Sequence, residues 1–403
     1  MPDARFRALL LEHVHPAAEQ ILRSAGFQVE SLSRALDEDE LTERIKGVSL
    51  LGIRSKTHVT HRVLDAADEL IAIGAFCIGT NQINLSAASA SGVAVFNAPF
   101  SNTRSVVELA ISEIIAMTRR LTEKNDLMHN GVWDKSAEGA HEVRGRTLGI
   151  VGYGNIGSQL SVLAENLGMK VLFYDTADKL ALGNARQCLS MKELLAESDV
   201  VTLHVDGRST NKNFFGEADF AAMQSGALFL NLSRGFVVDY AALRKHIESG
   251  HIGGAAVDVF PVEPKGRGDE FVSELRGLPN VILTPHIGGS TEEAQEDIGR
   301  FVAGKFRDFV LDGSTGMSVN MPALSLPRPQ NTLRMIHLHH NVPGVLAHVN
   351  GLLADGGVNV EAQMLATRGD LGYVVTDSAS GTTQAIVDEI RALPETIKLR
   401  IIF

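Results

Sequence analysis

Only two cysteines, Cys77 and Cys188, occur in 403 residues. One pair cannot frame a chain of this size, so the fold must rest on buried apolar surface, and the usage fits a reducing compartment. No apolar run reaches the roughly 20 residues that a membrane span needs. The opening MPDARFRALLLEHVHP lacks the apolar core and small-residue cleavage site of a signal peptide, so a cytoplasmic location is expected. Basic runs are absent too, and the formal net charge is -11. This excludes an electrostatic footprint for nucleic acid. An acidic protein can still take an anionic substrate, but only through individual Arg or Lys side chains gathered at the site.

What remains is ordinary globular material, 44% hydrophobic and 21% charged, enough for two or three cored domains. Its centre is RTLGIVGYGNIGSQLSVLAENLGMKVLFYD, from Arg146 to Asp175. The pattern predicts strand, glycine turn, helix and strand. Gly152 would make the tight turn, Gly154 admit a pyrophosphate close to the backbone, and Gly157 let helix and strand pack. The helix N-terminus at Asn155 and Ile156 would offer free N–H groups and partial positive charge to the phosphates. Asp175 stands where a carboxylate takes the adenosine ribose hydroxyls and repels a 2′-phosphate, which favours NAD over NADP.

Before this motif, short apolar runs alternate with helical patterns, as in a parallel sheet covered on both faces. Arg54, Ser55 and Lys56 follow the buried run Leu50–Ile53, at the strand end where open α/β sheets bind ligands. Singly, such cations also serve as solvated loop charges. A long helix follows NAPFSN, with Thr103 or Ser105 expected as its cap and Asn102 at its mouth. Trp133 and Lys135 lie in a polar loop beyond it. After Asp175, four further strands are expected, ending near His204, Ser233-Arg234, Asp258 and His286, and with the first two they make six. Arg234, Glu263 and His286 form a chemically coherent set. Histidine can take a hydroxyl proton near working pH, a carboxylate raises its pKa and fixes its tautomer, and arginine grips a carboxylate bidentately. No metal is called for.

NLSRG, DVFPVEP and LTPHIGGST behind VGYGNIG resemble the D-isomer-specific 2-hydroxyacid dehydrogenases. GIRSKT, AIGAFCIGTNQIN and VFNAPFSNTRSVVEL are similar to the serine-regulated, phosphoglycerate-oxidising branch of that family. The resemblance implies two Rossmann-like, doubly wound parallel-sheet domains and a C-terminal regulatory domain, an α/β architecture overall. The substrate-binding domain would take residues 1–101 and a return segment 289–313, the NAD-binding domain 102–288, a proline-bearing linker 314–331, and the regulatory domain 332–403. It further implies His286 as acid/base, Glu263 as its partner and Arg234 as carboxylate clamp. Arg54, Ser55 and Asn102 would hold substrate, Trp133 and Lys135 would reach a neighbouring subunit's site, and Asp258 would face the nicotinamide amide, with His204 on the cofactor side. The implied reaction is NAD-dependent oxidation of 3-phosphoglycerate to 3-phosphohydroxypyruvate, with reduction of 2-oxoglutarate as a possible second activity. Another D-2-hydroxy acid as substrate, or an NAD-sensing corepressor on the same scaffold, are the alternatives. The family's proline-containing loop after LHV is replaced here by Asp206-Gly207-Arg208-Ser209.

The last 70-odd residues alternate strand, helix, strand, strand, helix, strand, the split βαββαβ arrangement of ferredoxin-like folds. Standing alone, so small a core is marginal, which favours pairing with another copy. The segment resembles the ACT domain, and the resemblance assigns His339, Asn341 and Asn359 to L-serine held between two copies, in a homotetramer.

Overall fold

The computed structural model describes residues 6–264, 268–329, 332–378 and 382–402. Parts of the expected first segment, NAD-binding domain, linker and regulatory domain (residues 1–5, 265–267, 330–331, 379–381 and 403) lie outside them. The chain divides into two compact units, Met1–Ser101 with Gln295–Phe403, and Asn102–Ala294.

In the first unit, β1 (Arg7–Leu10), β2 (Gln28–Ser31), β3 (Leu50–Ile53), β4 (Ala72–Ala75) and β5 (Ala94–Asn97) form a parallel sheet in the order β2-β1-β3-β4-β5. The order reverses between β1 and β3, which makes their carboxyl ends a topological switch point. β3, β4 and β5 are buried at every position, because helices cover both faces and leave no solvent side. One of these, Glu292–Asp312, buries Val302, Phe306 and Phe309 against Phe76 and Phe96.

A four-stranded antiparallel sheet belongs to the same unit: β13 (Leu333–His340), β14 (Val360–Arg368), β15 (Leu371–Ser378) and β16 (Thr396–Ile402), in the order β14-β15-β13-β16. One face carries the helices Val345–Asp355 and Gln384–Arg391. Ile336, Leu338, Tyr373 and Val375 of the other face enter the core around Phe306 and Phe309. The small sheet therefore does not depend on its own core alone. The segment expected as a linker is packed as well. Thr315 Oγ1 donates to the Pro322 carbonyl, Val319 N–H donates to the Val95 carbonyl, and Met321 and Leu324 are buried. It has no periodicity because side chains such as Asn320, bonded to Val93 and Val95, satisfy the backbone in place of a helix or ladder.

In the second unit, β6 (Thr147–Val151), β7 (Lys170–Tyr174), β8 (Arg186–Gln187), β9 (Val200–Leu203), β10 (Ala227–Asn231), β11 (Ile252–Val257) and β12 (Val281–Leu283) run in the order β12-β11-β10-β9-β6-β7-β8. This is the doubly wound 3-2-1-4-5-6 order with one strand added at the far edge. The six expected strands are present. The seventh, β8, is two residues long and leaves no pattern in sequence. The long helix spans Thr103–Thr118 with Asn102 at the cap position and no side-chain cap bond. Ser105 does not cap it; its hydroxyl meets that of Thr291 at 2.8 Å. The helix stops because Arg120 turns left-handed at φ 52° before a second helix, Leu121–His129. Among the described residues, no helix is long and apolar enough to cross a membrane.

Candidate active site

The glycine turn after β6 has the geometry a dinucleotide needs. Gly152 has φ +95°, and a Cβ there would stand 2.6 Å from the His204 carbonyl oxygen. A Cβ on Gly157 would stand 2.3 Å from the Gly152 carbonyl oxygen, so turn and helix meet backbone to backbone. At Gly154 a Cβ would meet nothing within 4 Å. That open space lies before the N-terminus of helix Asn155–Asn166, whose first turn has no side-chain cap. Phosphates fit this cradle, since unpaired N–H groups and the helix dipole face the same opening. Tyr153 is buried and stacked on Phe173 at 3.8 Å between centroids. Its N–H donates to Asp175 Oδ2 at 2.8 Å, tying the turn to the end of β7.

Three later loops of the same sheet carry Arg234, Glu263 and His286. His286 Nδ1 lies 2.9 Å and 3.2 Å from the two Glu263 oxygens. The Glu263 carboxylate raises the His286 pKa, and partial burial opposes that shift without reversing it. Burial alone would raise Glu263, but the bonds from His286 and from the Phe260 N–H hold it below the usual carboxylate range. His286 adopts φ +55°, a conformation rare for a residue with a Cβ. Asp258, 1% exposed, holds it there. Its carboxylate accepts from Thr284 Oγ1 at 2.7 Å and from the Ile287 and Gly288 N–H groups at 2.8 Å. The same carboxylate that is expected at the nicotinamide amide thus also holds the histidine turn, with Oδ2 accepting one of the three bonds.

Arg234 follows β10, where Asn231 Oδ1 accepts from the Ser233 N–H and hydroxyl and Asn231 Nδ2 donates to the Arg234 carbonyl. Tyr240 completes this frame by accepting from Asn231 and donating to the Val259 carbonyl. Gly235 allows the Arg234 turn to touch the Glu263 loop, since a Cβ there would fall 2.0 Å from the Phe260 carbonyl carbon. The sequence pattern pointed to Arg234, Glu263 and His286 but to neither Asn231 nor Tyr240, whose polar groups sit inside an apolar run and its helix. His204 is neutral, pushed down to about 4 by burial, with Nε2 3.0 Å from the Thr202 hydroxyl.

A profile described as D-isomer specific 2-hydroxyacid dehydrogenase, NAD binding domain, matches residues 111–288, and one described as AHAS small subunit-like ACT domain matches residues 335–398. The chain is 49% identical over 404 residues to the D-3-phosphoglycerate dehydrogenase of Haemophilus influenzae, covering 100% of this chain and 98% of the relative. This chain belongs to the D-3-phosphoglycerate dehydrogenases of the D-isomer-specific 2-hydroxyacid dehydrogenase family. Its relative of that name in Escherichia coli (strain K12) is 48% identical, with 99% and 98% of the two chains covered. A crystal structure of Aquifex aeolicus D-lactate dehydrogenase complexed with NAD and lactic acid is 26% identical, with TM-score 0.66 over 78% of this chain and 100% of that one. The protein is an NAD-dependent oxidoreductase carrying an ACT domain.

The other expected residues belong to both compact units. Asn102 packs its amide against Gly289, where a Cβ would stand 2.3 Å from Nδ2, and its Oδ1 is buried without a partner. Trp133 is 74% exposed on the loop where Asp134 pairs with Lys124, and Lys135 is exposed beside it. Arg54 is half-buried and Ser55 and Lys56 are exposed, all in the first compact unit. In the ACT sheet, His339 is buried with Nδ1 2.7 Å from the His340 carbonyl oxygen, and Nε2 is buried without a partner. Asn341 donates to the Gly369 carbonyl. One chain does not bring Asn359 to this pair. Val360 and Leu333 are level with Ser378, whereas His340 is level with Leu371 at the sheet's other end.

Proposed function

We propose that the enzyme oxidises 3-phospho-D-glycerate to 3-phosphohydroxypyruvate with NAD in the cytoplasm, the entry to L-serine synthesis, and that L-serine inhibits it through the ACT domain. Reduction of 2-oxoglutarate is proposed as a second activity. The observation that carries this reading is the Glu263-held His286 beside the Arg234 turn, in a chain nearly half identical to proteins named for that reaction. NAD, when bound, supplies a hydride acceptor. His286 takes the hydroxyl proton at Nε2 while Glu263 keeps the proton on Nδ1. Arg234 grips the substrate carboxylate, and its charge favours the developing carbonyl oxygen. Arg54 and Ser55, with Asn102, hold the rest of the substrate, and Lys56 adds positive charge for the phosphate. Trp133 and Lys135 reach a neighbouring subunit's site. Residues 1–101 with 289–313 act as substrate-binding domain and 102–288 as NAD-binding domain, in a homotetramer in which His339 and Asn341 of one copy and Asn359 of another enclose L-serine.

The test is NADH oxidation with 3-phosphohydroxypyruvate, beside hydroxypyruvate and 2-oxoglutarate, with and without millimolar L-serine. Preference for the phosphorylated acid and a fall with serine are expected. Equal rates with hydroxypyruvate would move the substrate to a general 2-hydroxy acid. Indifference to serine would remove the effector.

A further inference from the structure

Glu12 is a buried carboxylate that none of the chemistry above uses. It stands two residues past β1, 8% exposed, in consecutive left-handed residues, with φ 62° at Glu12 and 55° at His13. Such a conformation persists only where surrounding structure fixes it, and it often marks a functional constraint. The turn is fixed by N–H bonds from Glu12 to the Arg34 carbonyl and from His13 to the Leu32 carbonyl, and it aims the carboxylate at the loop that leaves β3. There Oε1 accepts from the Arg54 N–H at 3.1 Å and the Thr57 N–H at 2.8 Å, and Oε2 accepts from the Lys56 N–H at 2.9 Å. From another side, Gln82 Nε2 donates to the Arg54 carbonyl at 2.6 Å.

The position gives these bonds a consequence. β1 and β3 are the two strands at which the sheet order reverses, so the clamped loop lies at the switch point where open α/β sheets bind ligands. Converging backbone N–H groups form a nest that ordinarily attracts an anion. Here a carboxylate of the chain itself fills the nest. A substrate anion is therefore left to the side chains of Arg54 and Lys56, which project from a loop whose backbone is already fixed. A ligand that need not order its loop binds more tightly, since the ordering entropy has been met on folding.

We propose that Glu12 is the positioning residue that shapes the Arg54–Thr57 loop for the phosphorylated acid, assisted by Gln82. The proposal rests on the substrate reading above for its kinetic consequence but not for the clamp. In the full-length protein, Glu12→Gln keeps the size of the side chain while replacing one acceptor oxygen with a donor that faces N–H groups. The KM for 3-phosphohydroxypyruvate should rise at least about tenfold, as expected for losing charge-assisted hydrogen bonds. The KM for NADH should stay within about twofold, because the dinucleotide turn belongs to the other compact unit. Amide hydrogen exchange should quicken across Arg54–Thr57 and not elsewhere, which a general loss of stability would not produce. A wild-type KM for the acid, or a matching rise for NADH with faster exchange throughout, overturns the proposal. Should Glu12→Gln fail to fold, Gln82→Leu must raise the same KM, and an unchanged value there overturns it equally. If the wild-type enzyme does not use the phosphorylated acid, the substrate reading fails by itself. Exchange then decides the clamp, with acceleration confined to the loop supporting it and none rejecting it.

Discussion

At His286 a ring and a backbone angle have to be held, and different acids answer the two demands. Glu263 faces the ring and Asp258 the flanking N–H groups. With His286 as the proposed base, hydroxyacid oxidation needs it neutral, so kcat/KM in that direction should rise with pH through a histidine pKa that Glu263 holds above its ordinary value. Glu263→Gln removes the charge behind the rise. The acid limb of the profile should move to lower pH and the plateau should fall at least about tenfold, as measured by kcat/KM across pH. His286→Ala should cost about 10²–10⁴-fold in kcat while NAD still binds. An unmoved acid limb in Glu263→Gln would mean that another group titrates. The ring and its partner were legible in sequence because each ends an apolar run. Asp258 was legible only as a strand end, since the object of its hydrogen bonds is set by a turn 26–30 residues later.

The helix Thr103–Thr118 carries the least comfortable side chain in the second unit. Glu113 is 3% exposed and neither carboxyl oxygen has a protein partner. Burial, with the Asp258 charge adding to it, pushes its pKa up to about 8. The folded state thus keeps a proton that the unfolded state releases above its ordinary pKa of 4.5, so stability falls as pH rises between these values. Glu113→Gln removes that linkage. The variant should gain up to roughly 3 kcal/mol at pH 7, read as a higher Tm, with the gain vanishing near pH 4. A gain that persists in acid would point to packing instead. Helical spacing gave no warning here, because a glutamate is an ordinary helix former and only the packing around it buries the site. Arg334 is the opposite case. It is fully buried, yet it pairs with Asp377 at 2.6 Å and donates to the carbonyls of Asp312, Leu326 and Pro327. It thereby joins the ACT sheet to the end of helix Glu292–Asp312 and to the packed segment read as a linker.

At the scale of the whole molecule, the register of the ACT sheet bears on the proposed L-serine site. His339 and Asn341 stand at one end of β13 and Asn359 beside the other, so one small ligand can meet all three only across two copies. A two-fold pairing makes two equivalent sites. Mixing His339→Ala chains with Asn359→Ala chains then leaves one site with both substitutions and one with neither. The mixed assembly should regain serine inhibition that both parents lack, read as a serine titration of NADH oxidation. Mixed assemblies as insensitive as the parents would place serine elsewhere.

The sequence by itself determined the elements: six strands of the nucleotide sheet, its glycine turn, the Arg234, Glu263 and His286 loops, and the βαββαβ order of the last segment. These are local signals, carried by periodicity and by what a glycine or an ionisable side chain can do at a strand end. Tertiary structure alone decided which carboxylates hold backbone, as with Glu12 and Asp258. It also decided that Glu113 is buried, that the proline-bearing segment is packed, and that the ACT sheet shares a core with the first sheet. The physical reason is common to all of these. Burial and hydrogen-bond partnership are properties of residues tens to hundreds of positions apart, and no pattern within one element records who will stand opposite.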